Sequence, residues 1–143
     1  MTVLEAPMKT CEEITFESTS SNISIVEKVV NDVCAQHEVN EDHYGNLLIA
    51  LTEAVNNAIK HGNGEDPTKS VNLKYSATNE LLEFRIKDQG VGFDFNNLPD
   101  PTDPANIEKA NGRGVFLMKN LADEVNFHDE GRTVELKFNL NIN

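Results

Sequence analysis

The stretch Leu47 to His61, LLIALTEAVNNAIKH, constrains the fold more than any other part of this chain. Its Ala, Leu and Glu content favours a helix, and its apolar residues recur at three- and four-residue spacing. Leu47, Leu48, Leu51, Val55, Ala58 and Ile59 form a broad stripe that must face a core. Glu53, Asn57 and His61 follow at four-residue intervals, which sets their side chains along one ridge. Asn56 and Lys60 make a second such pair beside it. A carboxylate, two amides, an ammonium and an imidazole next to a buried stripe mark either a solvated helix edge or a site. The rest of the chain decides between the two.

Elsewhere the chain shows both helix and strand periodicities. Residues 1–12 carry little signal and read as a frayed start. Glu13 to Glu17 alternates Ile14 and Phe16 with polar neighbours, as a short half-buried strand does. Several N-cap candidates follow at residues 18–22, and Ile23, Val26, Val29, Val30 and Val33 then mark an amphipathic helix to about Gln36. HEVNEDH breaks the chain before the central helix, which stops at Gly62 in HGNGEDP. Lys69 to Ala77 and Leu81 to Asp88 alternate strictly and form a hairpin with one covered face. Val115, Phe116, Met118 and Leu121 mark a third helix. Glu124 to His128 and Thr133 to Leu140 are strands joined at Asp129-Glu130-Gly131. This order predicts one α+β domain over residues 1–143. Its architecture is a two-layer α/β sandwich: a mixed, mostly antiparallel sheet with helices on one face.

Asp88 is in phase with Leu82, Phe84 and Ile86, so the strand ends by turning a carboxylate toward the covered side of the sheet. A buried charge needs a dedicated partner. The alternative is an aspartate that opens the loop and caps Gly90 or Gly92 in a turn. A long segment with little periodicity follows, and loops of this length in compact domains are commonly lids or binding loops. It closes with Gly112-Arg113-Gly114 ahead of the third helix, and a glycine-flanked helix start offers free N–H groups to a phosphate.

Composition removes several function classes. With 24 acids against 12 bases the net charge is −12, and no cluster of Lys and Arg exists to hold a nucleic-acid backbone. No apolar run reaches the roughly 20 residues of a membrane span, and the N-terminus lacks the pattern of a signal peptide. Cys11 and Cys34 are too few and too far apart for a metal cage or a disulfide framework, which fits a reducing cytoplasm.

Three pieces now coincide in order: Glu53-Ala-Val-Asn-Asn57-Ala-Ile-Lys-His61, Asp88-Gln-Gly90-Val-Gly92-Phe, and Gly112-Arg113-Gly114-Val-Phe-Leu-Met. Together they closely resemble the N, G1 and G2 boxes of the GHKL ATPases, the superfamily of gyrase, Hsp90, histidine kinases and MutL. Within it, the chain looks most like the small bacterial anti-sigma-factor serine kinases of the RsbW type. The resemblance spans roughly residues 13–140 and implies the Bergerat ATP-binding fold, with residues 93–111 as the ATP lid.

The resemblance also implies roles. Asn57 matches the residue whose amide oxygen binds Mg2+, and Glu53 matches the carboxylate acting as general base or orienting the nucleophile. Asp88 matches the acceptor of the adenine amino hydrogen, and Gly90 and Gly92 let the backbone pass close to the base. Gly112, Arg113 and Gly114 match the phosphate-binding end of the lid, while Lys60 and His61 match phosphate or ribose neighbours. One position departs from the family. Many members place Thr directly after the glycine of the last turn, where it helps to fix the adenine; here Arg132 follows Gly131 and Thr133 comes one later. Strand alternation gives position 132, not 133, the phase of Val134 and Leu136.

What the resemblance implies is an ATP-dependent protein serine/threonine kinase and anti-sigma factor. It would use Mg-ATP to phosphorylate a STAS-type antagonist, and would hold a sigma factor when that partner is phosphorylated. The segment Ser20 to Gln36 is then the docking surface or, by analogy, a homodimer surface. The high negative charge points to a partner with a basic face. A second reading is a non-catalytic switch that binds nucleotide and a protein but transfers no phosphate. Such a switch needs Asp88 and the glycines but not Glu53.

Overall fold

The computed structural model describes residues 9–92 and 110–140, with side chains in the second segment from residue 113 onward. Strand β1 (Thr10–Glu17) passes through a short turn of 3-10 helix into α1 (Ser24–Gln36), and α2 (Glu41–Asn57) follows. The hairpin β2 (Ser70–Ala77) and β3 (Leu81–Lys87) comes next, then α3 (Ala110–Leu121), β4 (Glu124–His128) and β5 (Thr133–Asn139). The strands form one sheet in the order β1-β2-β3-β5-β4.

Every described pair is antiparallel, so the mixed sheet expected from the sequence gives way to a uniform one. Topology explains why. A parallel neighbour needs a single-element crossover, whereas two helices separate β1 from β2 and return the chain in the opposite sense. Register follows the alternation: Tyr75 lies opposite Phe84 and Phe84 opposite Leu136, so the apolar set of each strand shares one face. That face buries Leu73, Phe84, Ile86 and Leu136 beneath Val30 and Val33 of α1, Leu51 and Val55 of α2, and Met118 of α3. Phe84 sits at the centre, with ring centroids 5.8 Å from Tyr75 and 6.0 Å from Phe138. Such pairs add about 0.5–1.5 kcal/mol each beyond area burial. The opposite face carries Asn72, Lys74, Arg85, Glu135 and Lys137, with Arg85 and Glu135 paired at 3.0 Å.

Element boundaries depart from the sequence reading where apolar periodicity is silent. Residues 10–12 belong to β1, not to a frayed start, because their backbone pairs with Ala77, Ser76 and Tyr75. Helix α2 begins at Glu41, inside the expected break. Asn40 caps it, its side-chain oxygen accepting from the Asp42 N–H at 2.9 Å, and Glu41 and Asp42 suit the positive end of the helix. That first turn is solvated, so no apolar spacing announces it. At the other end the α-helix stops at Asn57 and widens into a π turn over Ala58–Gly62, where Asn63 N donates to Ala58 O at 2.9 Å. The expected lid, residues 93–111, lies outside the described residues except for its last two, which form the first turn of α3.

Candidate functional site

A cavity lies at the end of α2, between that helix, the ends of β3 and β5, and α3. Ala54, Ile86, Met118, Phe127 and Val134 supply apolar walls, and Asn57, His61, Asp88 and Arg132 supply the polar groups. The π turn brings His61 here. It ends the strict four-residue ridge at Asn57, yet both residues still line the cavity.

Asp88 follows directly after β3 and is only 8 % exposed. Its Oδ1 accepts from the Gly90 N–H at 2.8 Å, and no described hydrogen bond reaches Oδ2. Both readings of Asp88 therefore hold at once: it turns inward and it caps the following turn. Burial pushes its carboxyl above the usual aspartate range, against the Gly90 N–H and the positive charges of Arg132 and Lys69.

Glycines let the backbone close around this carboxylate. A Cβ on Gly62 would stand 2.4 Å from Asp88 Oδ2, and one on Gly90 would stand 1.9 Å from Gly62 O. Gly92 has φ 84°, and its Cβ would meet Glu130 O at 2.3 Å. A buried network holds the same loop from behind. Asn63 is 3 % exposed; it donates to Ser18 Oγ at 2.6 Å and to Ser70 O at 2.9 Å, and accepts from Gln89 N at 2.7 Å. Those bonds tie the end of β1, the start of β2 and the residue after Asp88 into one knot.

On the other side, α3 packs its Gly114 against α2. A Cβ there would lie 2.8 Å from Asn57 Nδ2 and 3.2 Å from Glu53 Oε2, so the two polar heads flank one point of the helix seam. An amide and a carboxylate so placed offer hard oxygen donors of the kind Mg2+ takes. Among the described residues no group of three His, Cys, Asp or Glu side chains could hold a metal ion by itself. A cation at this seam would therefore complete its shell with water and with oxygens of a bound ligand.

The structure thus brings Asn57, His61, Asp88 and Gly92 together around one cavity, with Gly90 against Asp88 behind it and Glu53 and Gly114 beside Asn57. Lys60 points away: it is exposed and absent from the lining. Gly112, Arg113 and Gly114 fall inside α3 rather than ahead of it. Sequence reasoning missed Gly62 and Asn63 as site-forming residues. The helix-stop signal at Gly62 named the turn but not the carboxylate it had to admit.

The chain is similar to known proteins in sequence and in fold. A family model described as the histidine kinase-like ATPase domain matches residues 16–138. The serine-protein kinase RsbW of Bacillus cereus (strain ATCC 10987 / NRS 248) is 30 % identical over 129 residues, covering 85 % of this chain and 80 % of that protein. RsbW of Bacillus anthracis (strain A0248) matches with the same identity and coverage. Among solved structures, the RsbU and RsbW domains of Rv1364c from Mycobacterium tuberculosis superpose with a TM-score of 0.62 at 16 % identity. That alignment covers 92 % of this chain and 32 % of the larger one, and it speaks for the fold alone. The family match runs from the end of β1 to the end of β5 and takes in the whole cavity, so the chain belongs to the histidine kinase-like ATPase family.

Proposed function

We propose that this protein is an ATP-dependent protein serine/threonine kinase and anti-sigma factor of the RsbW type, working in the cytoplasm. The observation that carries this reading is Asp88. A buried carboxylate with one oxygen free of described hydrogen bonds, facing a cavity with apolar walls, suits the exocyclic amino group of adenine. Asn57 would hold Mg2+ through its amide oxygen, and such an ion would supply positive charge to the phosphates of ATP. Glu53, beside Asn57, accepts the proton of the attacking Ser or Thr hydroxyl as its oxygen bonds to the γ-phosphorus and ADP leaves. His61 reaches the ribose or phosphates from the cavity wall. The start of α3, with Gly112 and Arg113, receives the phosphate tail. The protein substrate is a STAS-type antagonist, and the sigma factor is the alternate partner.

Calorimetric titration tests the nucleotide half of this reading. ATP should bind with magnesium and more weakly without it, while GTP, which presents a carbonyl where adenine has its amino group, should bind at least tenfold more weakly than ATP. Equal affinity for ATP and GTP would remove Asp88 from the proposed role.

The helix seam gives a sharper expectation. Gly114→Ala improves helix propensity by about 1 kcal/mol but places a methyl group against Asn57 and Glu53. Thermal melting should therefore stay level or rise, while the magnesium-dependent part of ATP affinity and phosphate transfer both fall. A variant that keeps full transfer would show that the seam is only packing.

A further inference from the structure

We propose that Arg132 is the positioning residue for the base end of this pocket, stitching the loop after β3 to the turn between β4 and β5 so that Asp88 is held in place for its ligand. The proposal rests on the nucleotide reading above and assigns a task to Arg132, which lines the cavity beside Asp88.

Three hydrogen bonds close a ring. Asp88 N donates to Arg132 O at 2.9 Å, Arg132 Nε donates to Gly90 O at 2.8 Å, and Gly90 N donates to Asp88 Oδ1 at 2.8 Å. The rest of the guanidinium extends that ring. Nη2 donates to Val91 O at 3.3 Å, and Nη1 donates to Asp129 O at 3.2 Å and Glu130 Oε2 at 3.3 Å. Arg132 thus uses its planar fork to bridge the two loops that lie just beyond the last β3–β5 pair, Lys87 with Thr133. A hydroxyl carries a single donor on a short stem and cannot span the same carbonyls.

The bridged segments also need holding. Asp129 and Glu130 have φ of 55° and 58°, left-handed values that cost a residue with a Cβ, and Gly131 continues at 90°. Gly92 approaches Glu130 so closely that only a glycine fits there. The strained turn and the glycine loop therefore meet backbone to backbone, and Arg132 is the side chain that ties them. Asp88 accepts from the Gly90 N–H, lies in the fields of Arg132, Lys69 and Asp129, and shares the cavity wall with His61.

The test uses Arg132→Met and Arg132→Lys in the full chain, with adenosine and ATP as probes. Arg132→Met should weaken adenosine and ATP by the same factor, about tenfold, because only the base end is disturbed. Amide exchange at Gly90 should quicken in the unliganded variant. Arg132→Lys keeps the charge but loses the fork, so affinity should remain low. The pH at which ATP binding fades on acidification should stay at the wild-type value in Arg132→Lys and move upward in Arg132→Met, where Asp88 loses a neighbouring cation. A stability defect alone would move melting in both variants and leave that pH limb untouched. Wild-type affinity in Arg132→Met, or unchanged exchange at Gly90, overturns the positioning role while leaving the nucleotide reading intact. A wild-type protein that binds neither adenosine nor ATP overturns both.

Discussion

Glu53→Ala is expected to lower phosphate transfer by about a thousandfold while leaving ATP affinity within roughly threefold. General-base groups contribute about 10²–10⁴ to a rate, and in the proposed role the carboxylate would meet the hydroxyl proton rather than the base or the phosphates. The fold should tolerate the change. Glu53 is half-buried on a helix edge, and alanine is the better helix former. Single-turnover transfer from labelled ATP to the partner protein gives the rate, and calorimetry gives the affinity. Unimpaired transfer would return Glu53 to the solvated edge of α2. Wild-type protein that binds ATP but transfers nothing to any Ser or Thr partner would instead favour a non-catalytic nucleotide switch.

Asp88→Asn should separate binding from stability in opposite directions. An amide keeps an oxygen for the Gly90 N–H but turns a donor toward the amino group of adenine, so affinity for ATP should fall about a hundredfold. The unliganded variant should melt at or above the wild type at pH 7, because it no longer buries a charge. The pH dependence follows from the raised carboxyl. In the unfolded chain an aspartate ionises near about pH 4, while folded Asp88 holds its proton to higher pH. Between those two values the unfolded state has already released the proton, so wild-type stability falls as pH rises and carries the full penalty above the folded value. The advantage of the variant should therefore be present at pH 7 and vanish below about pH 3.5, when both states are protonated. A variant less stable than wild type at neutral pH would mean that Asp88 is held by interactions stronger than its burial cost.

The fold was largely legible because its information is local. Alternation in Val71, Leu73 and Tyr75 and in Leu82, Phe84 and Ile86 fixed which face of the hairpin is buried, and a one-residue slip would have exposed all of it. The three-four spacing from Leu47 to Ile59 fixed the central helix by the same logic. The capped start of α2 was not legible, since its first turn is solvated and Asn40 acts through a side-chain oxygen, not through hydrophobic phase. The sequence also left the sheet mixed, because periodicity reports which side of a strand is wet and says nothing of its direction.

For the site, the division is similar. The spacing of Glu53 and Asn57 and the phase of Asp88 were decided by the sequence itself, because helix and strand geometry determine where those side chains point. Two other features arise from contacts between residues far apart in the chain. Asn63 gathers Ser18, Ser70 and Gln89, and Arg132 closes its ring through Gly90. Each depends on the distance between two loops, which no local pattern encodes. A hydrogen bond is satisfied by whatever group the fold delivers within about 3 Å, so only the tertiary structure could decide these partners.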